Sequence, residues 1–109
     1  MPAYMIQFSY APEAVAGFIK KPVDRTKVVE ALAESIGGKL VGSWLSFGEY
    51  DGVIIIEGAS PVSAVACSMA VTSSGAFTKF KTTPLISAEE GMAAMKQAGS
   101  LGYKPPKAG

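Results

Sequence analysis

The sequence FGEYDGVIIIE, residues 47–57, joins a glycine-marked turn to four successive β-branched residues. Residues 53–56, Val-Ile-Ile-Ile, have high strand propensity and leave no polar position on either face of a sheet. A strand that is exposed to water on one face alternates apolar and polar residues instead. The stretch therefore predicts a strand that is covered on both sides.

The segment before this strand, residues 39–47, mixes polar and apolar residues and predicts a hairpin partner for it. Gly48-Glu49 can form a two-residue type II′ turn, whereas Asp51-Gly52 would allow a type I′ turn. The first turn is preferred because it leaves the second strand intact.

This register decides which side chains share a face of the sheet, because opposite residues lie on the same face. It predicts that Trp44, Asp51 and Val53 lie on one face. Tyr50 and Ile54 then lie on the other, so Tyr50 and Asp51 point to opposite sides near one end of the hairpin.

The motif Gly48-Glu49-Tyr50-Asp51, followed by an apolar strand, resembles the signature of the GYD domain, a small bacterial family named for its Gly, Tyr and Asp. The order of the predicted elements resembles the family over roughly the first nine-tenths of the chain, the size of a single domain. Gly52 departs from the pattern, which has Ala or another small residue there. The resemblance implies a fold of the dimeric α+β barrel type and no settled activity.

The composition is that of a globular domain, since 49% of the 109 residues are hydrophobic and 17% are charged. A net charge of +1 gives no general attraction to nucleic acid, and no apolar stretch approaches membrane-spanning length. Residues 1–4 lack a basic region followed by a long apolar run, so no signal peptide is expected. The single cysteine, Cys67, cannot form an internal disulfide, and the cytoplasm is the expected compartment.

The first half of the chain predicts a strand and a helix before the hairpin. Residues 3–10 alternate, with the aromatic residues and Ile6 on one face. Residues 14–19 predict a short helical turn. Asp24 can then cap a helix that Gly37-Gly38 ends, and Arg25 belongs to the charged face of that helix, which we expect to be solvated.

Ser60-Pro61 predicts the start of a second main helix. Its apolar residues at helical spacing are expected to face the sheet: Val62, Val65, Ala66, Met69 and Ala70. Cys67 lies beside this stripe. We expect it to be a packing residue, because a nucleophilic thiolate needs a nearby base or positive field and the chain has no His.

Residues 76–86 predict the last strand, in which Phe77 and Lys79 share one face and Phe80 lies on the other. The lysines and Pro84 suit an edge strand. Ser87 and Glu90 form a capping box for a terminal helix. One domain is predicted over residues 1–98, followed by a tail, 99–109, that is free or lies on a partner subunit.

The predicted order β-α-β-β-α-β plus a C-terminal helix is the α+β, ferredoxin-like arrangement with a four-stranded antiparallel sheet. Right-handed crossovers put both main helices on one side of the sheet. The two-sided apolar strand then requires a cover on the other side. A second subunit would supply it, which predicts a homodimer or higher oligomer of the dimeric α/β barrel type.

Nothing in the sequence forms a catalytic or cofactor constellation. The absence of His removes His-dependent triads, His-ligated haem and the commonest metal ligand, and no phosphate-binding glycine loop follows a strand, so we expect no cofactor and no metal. Two functional classes remain. In one, Tyr50, Asp51 and Trp44 bind a small apolar molecule. In the other, a cofactor-independent enzyme uses Asp51 as general base and Tyr50 as hydrogen-bond donor. A purely structural role for Tyr50 and Asp51 in the hairpin is the alternative to both.

Overall fold

A computed structural model describes residues 2–107 of the chain. The predicted tail, residues 99–109, can therefore be compared with the structure only as far as Lys107, because its last two residues lie outside the described part. In chain order the elements are β1 (Ala3–Tyr10), α1 (Pro12–Lys20), α2 (Thr26–Ser35), β2 (Lys39–Leu45), β3 (Gly52–Glu57), α3 (Pro61–Thr72), β4 (Phe77–Leu85) and α4 (Ala88–Gly99).

The four strands form one antiparallel sheet in the order β2-β3-β1-β4. This is the strand order of the split βαβ arrangement, so the predicted α+β, ferredoxin-like class is confirmed. Strand β4 lies at an edge, where its lysines and Pro84 were expected. The helical turn predicted over 14–19 is instead the nine-residue helix α1.

The core lies between one face of the sheet and the helices. Ile6 of β1 pairs with Ile54 of β3, and both pack with Ile56 beneath Ala33 of α2. Ile56 is only 1% exposed. Ile55 lies between Ile54 and Ile56 in β3, and its side chain points to the opposite face, which α2 and α3 leave open. The helices therefore cover one side of the apolar strand and not the other.

Gly52 brings β3 close to the ring of Phe8, its partner in β1. A Cβ atom on Gly52 would lie 2.5 Å from Cζ of the Phe8 ring and 2.8 Å from its Cε1. An alanine at this position would therefore push the ring aside. The departure from the family pattern at residue 52 gives Phe8 its place above the strand.

A β-bulge changes the facing of the last strand. Ser9 pairs with Lys79, but Tyr10 pairs with Phe77, so Thr78 is an extra residue in β4. The prediction that Phe77 shares a face with Lys79 is wrong, because the bulge breaks the two-residue period. Phe77 instead joins Phe80 against the core.

The hairpin has the predicted register from Gly42 to Leu45 but not the predicted turn, and a bulge at Val41 shifts the pairing toward the start of β2. Trp44 pairs with Val53 and Leu45 with Gly52, as the sequence indicated. The strands end there, and residues 46–51 form a longer connection in which the Ser46 amide donates to the Asp51 carbonyl oxygen at 2.9 Å. The two-residue turn at Gly48-Glu49 is wrong, and side-chain alternation does not continue through the connection.

Helix α3 presents a different side to the sheet from the one predicted. Cys67 is 3% exposed at the centre of its buried side, whereas Val62 is 80% exposed and Val65 and Met69 also face outward. No residue of α3 is charged. Without charges to mark a solvent side, its apolar spacing fits both sides equally well, and contact with the sheet decides between them.

The C-terminal helix extends from the rest of the domain. The predicted capping box of Ser87 and Glu90 is confirmed, so α4 has a well-formed start. None of its residues is buried, and Met92 and Met95 are exposed. The radius of gyration is 17.8 Å, compared with about 13 Å for a compact chain of this length.

We predict that Cys67 is inert in the folded protein. Burial raises the pKa of its thiol, which lowers the thiolate fraction, and access is restricted by the surrounding side chains. Labelling by a thiol reagent should therefore be much slower in native protein than in denaturant. As a control, Val65→Cys in a Cys67→Ala background should react rapidly, because residue 65 faces outward. Equal native rates at the two positions would contradict the orientation of α3.

Candidate functional site

A cleft between the sheet and its helices holds two adjoining cavities. The larger, here the outer cavity, has a volume of about 580 Å³ and lies between β1, the end of β2 and the segment that joins α1 to α2. The smaller, here the inner cavity, has a volume of about 220 Å³ and lies between the sheet, α2 and α3. Phe8, Tyr10, Arg25 and Val29 line both. The two cavities therefore form one candidate site.

Five aromatic rings, here the aromatic wall, line this cleft: Phe8, Tyr10, Phe18, Phe77 and Phe80. Tyr10 is at the centre, with ring centroids 4.9 Å from Phe18, 5.1 Å from Phe77 and 5.3 Å from Phe8. These separations are typical of edge-to-face and offset aromatic pairs. The rings fix one another, so the wall is formed before any ligand arrives.

Tyr10 is the polar group at the centre of the wall. Burial raises the pKa of its hydroxyl group, the Asp51 carboxylate adds to that rise, and the Arg25 guanidinium opposes it. The phenol therefore stays protonated at neutral pH and can both donate and accept a hydrogen bond. Arg25 lines both cavities together with Tyr10, so the cation and the phenol belong to the same cleft.

Asp51 fastens the hairpin connection to β1. Its Oδ2 accepts a hydrogen bond from the Tyr10 amide at 2.9 Å, and its own amide donates to the Phe8 carbonyl oxygen at 2.8 Å. Asp51 is not among the residues that line either cavity. It positions the backbone of two wall residues rather than reaching into the cleft.

Tyr50 lies away from the cleft. Its ring centroid is 6.0 Å from Nζ of Lys79, and Lys79 pairs with Ser9 on the open side of the sheet. The Tyr50 carbonyl oxygen accepts a hydrogen bond from the Ser46 hydroxyl group at 2.8 Å. The expected facing of Tyr50, with Ile54, is wrong because the connection is longer than a two-residue turn.

Trp44 is the one sequence-predicted site residue that lines a cavity. It is 52% exposed and contributes to the rim of the outer cavity. Its ring folds over Gly42, where a Cβ atom would clash with it. Because Trp44 pairs with Val53 and Gly42 with Ile55, the Trp44 ring lies on the open face of the sheet, and the residue reaches the outer cavity only at its rim. Tyr50 also lies on the open side, whereas Asp51 bonds to the backbone of Tyr10.

Sequence reasoning missed the central residues of the site, Tyr10 and Arg25. The alternation of β1 placed Tyr10 on the face with Phe8, and a phenol there was a signal that a polar group enters the helix-to-sheet layer. Arg25 looked like part of a solvated helix surface. Its position at the start of α2, beside the segment that bends from α1, could be recognised only in three dimensions.

Within residues 2–107, no group of three His, Cys, Asp or Glu side chains is arranged to hold a metal ion. In the same part of the chain, the longest apolar helices fall short of the length that crossing a bilayer requires.

Comparison with known proteins identifies relatives of the whole domain. A family model described as the GYD domain matches residues 4–95. The fold is similar to that of the protein FFRP-DM1, with 17% identity and a TM-score of 0.52 over 79% of this chain and 100% of that chain. It is also similar to an uncharacterized NIPSNAP domain protein from Burkholderia xenovorans, with 13% identity and a TM-score of 0.51 over 81% and 95% of the two chains.

A hypothetical protein from Pyrococcus horikoshii is similar as well, with 12% identity and a TM-score of 0.50 over 80% of this chain and 92% of that chain. At these identities the likeness extends to the fold and no further. No curated protein sequence matches the chain.

We predict that Asp51→Ala lowers the free energy of unfolding by about 1–3 kcal/mol, because the partly buried Tyr10 amide loses its acceptor. Asp51→Asn keeps an acceptor oxygen and should lose less. Chemical denaturation measures both. Glu49→Ala is the control, because the Glu49 side chain is exposed and the change should stay within about 0.5 kcal/mol. If Asp51→Ala changed the free energy of unfolding as little as that control, Asp51 would not stabilise the connection through the Tyr10 amide.

Proposed function

The chain belongs to the GYD domain family, and on that basis we propose that it is a binding protein that holds a small, predominantly apolar molecule in the cleft. The observation that carries this proposal is the outer cavity of about 580 Å³, which is lined by aromatic side chains with a few polar groups among them. Small-molecule sites typically have volumes of about 300–1,000 Å³ and this kind of lining.

Within this proposal the three residues singled out from the sequence take different parts. Trp44 lies at the rim of the outer cavity with its ring turned to the open side of the sheet, and Asp51 acts indirectly by holding the backbone of Tyr10. Tyr50 faces the open side of the sheet, where it would meet a partner subunit rather than the ligand.

A catalytic role for Asp51 as general base has less support. A general base must lie within hydrogen-bond reach of the proton that it removes. The Asp51 carboxylate is instead engaged with the Tyr10 amide and lies outside the residues that line the cleft. The binding role therefore fits the geometry better than a cofactor-independent enzyme.

We also propose that the protein is a cytoplasmic homodimer in which the open sheet faces of two copies pack together as a dimeric α/β barrel. Val53 and Ile55 of β3 and Met5 of β1 are apolar residues on that face and remain only half-buried in one subunit. Such an interface usually buries more than about 1,000 Å². The protruding α4 and the tail would then lie on the partner, which gives Met92 and Met95 a cover.

The binding role is tested by a thermal-shift screen of small apolar molecules. A binder raises the melting temperature because it stabilises only the folded state, by about 2.7 kcal/mol at a hundred times its Kd. Ser43→Phe should weaken the shift, since residue 43 lines the outer cavity and a phenyl ring would occupy part of it. Trp44→Phe should change the shift little, because the Trp44 ring lies on the open side of the sheet.

Ser100→Phe is the matched control, because it adds the same side chain to an exposed position outside the cleft. A molecule that stabilises Ser43→Phe as fully as it stabilises the wild type would place the ligand elsewhere.

The dimer is tested by sedimentation equilibrium at micromolar concentration. We expect Ile55→Lys to give a folded monomer, because the charge lies on the open face and would be buried only by the partner. Ile54→Lys should unfold the chain instead, because residue 54 lies in the helix-covered core. Circular dichroism separates the two outcomes. A monomeric wild type, or a dimeric Ile55→Lys, would exclude this interface.

A further inference from the structure

The chemistry of the cleft indicates which class of molecule it binds, an inference that rests on the proposed binding role. We propose that the ligand is an aromatic carboxylate, with its rings against the aromatic wall and its carboxylate bound by Arg25 and by the Tyr10 hydroxyl group.

The aromatic wall selects for a flat, conjugated body. Tyr10 and Phe77 are offset-stacked, with an interplanar angle of 29°, while Phe8 and Phe18 meet Tyr10 at 77° and 74°. Rings at these angles present both faces and edges to the cleft. Another ring can stack on a face or meet an edge, and each such pair adds stabilisation beyond the area that it buries.

Arg25 supplies the positive charge. Among the described residues that line the two cavities, it is the one cation, and it lines both. A guanidinium group presents parallel N–H donors that match the two oxygens of a carboxylate. A single guanidinium balances a monoanion, whereas a phosphate monoester would bring a charge of roughly −1.5 to −2 at neutral pH.

Asp24 is the one acidic residue in the lining, and its carboxylate is already engaged. Its Oδ1 accepts hydrogen bonds from the Thr26 amide at 2.9 Å and the Thr26 hydroxyl group at 2.6 Å. These bonds lower the pKa of Asp24, which stays ionised and satisfies the first amide of α2. Arg25 is thus the charged group of the cleft that remains to meet a ligand.

Tyr10 completes the recognition of the carboxylate. Its phenol is protonated at neutral pH and so can donate to a carboxylate oxygen. Tyr10 and Arg25 both line the two cavities, so one ligand in the cleft can meet both side chains. A neutral ligand would leave the guanidinium without an anionic partner in the cleft.

The test compares two probes of nearly equal shape, 2-naphthoate and 2-naphthamide, by isothermal titration calorimetry at pH 7. Wild-type protein should bind the naphthoate roughly tenfold or more tightly than the amide, since hydrogen bonds to charged groups are the stronger kind. Arg25→Gln should remove this preference by weakening the naphthoate alone. Lys27→Gln, which removes a neighbouring cation outside the cleft, should leave both affinities unchanged.

The outcomes distinguish a failure of the carboxylate inference from a failure of the proposed binding role. Equal affinities in the wild type, or a preference that survives in Arg25→Gln, would overturn the carboxylate inference while leaving the cleft as an apolar binding site. Failure of both probes to bind would overturn both. Tyr10→Phe should lower the naphthoate affinity severalfold and that of the amide less, because the hydroxyl group it removes donates a stronger hydrogen bond to a carboxylate than to an amide oxygen.

Discussion

The pairing of β1 with β3 is the interaction on which the rest of the structure depends. It sets Ile6 against Ile54 and Tyr4 against Ile56 on one face, so that a continuous apolar surface forms across the middle of the sheet. Burial of such side chains is the main favourable term in folding a domain of this size. Helices α2 and α3 pack on this surface, and the cleft is the space between the helices and the sheet that their side chains do not fill.

The same pairing connects the core to the candidate site. At the end of the β1–β3 ladder, Gly52 makes room for the ring of Phe8, and the next residue, Asp51, bonds to the amide of Tyr10. The bulge at Thr78 then brings Phe77 beside Tyr10 from the other edge. A close approach at a glycine, a side-chain hydrogen bond and a bulge therefore build the aromatic wall, in keeping with the frequent occurrence of bulges beside functional sites.

Two apolar surfaces of the chain stay uncovered within one subunit. One is the open face of the sheet, and the other is the outer side of α3, where Val62, Val65 and Met69 are exposed. A helix without charged residues is normally buried all round. The extended α4 accounts for the elongated shape of the described part of the chain, with principal extents of 57 × 38 × 22 Å.

The sequence by itself determined the element order, the fold class, the register of the hairpin, the buried face of β1 and the capped starts of α3 and α4. Each of these depends on short-range physics: strand alternation, cap chemistry and the spacing of turn residues. The tertiary structure alone decided which side of α3 faces the sheet, because an uncharged helix has no solvent side of its own. It also decided that Tyr10 and Arg25, fifteen positions apart, line one cleft, and that Asp51 bonds to the backbone of Tyr10 instead of entering that cleft. A bulge, a close approach at a glycine and the length of one connection fixed those positions, and all three depend on contacts between distant strands, which local sequence does not encode.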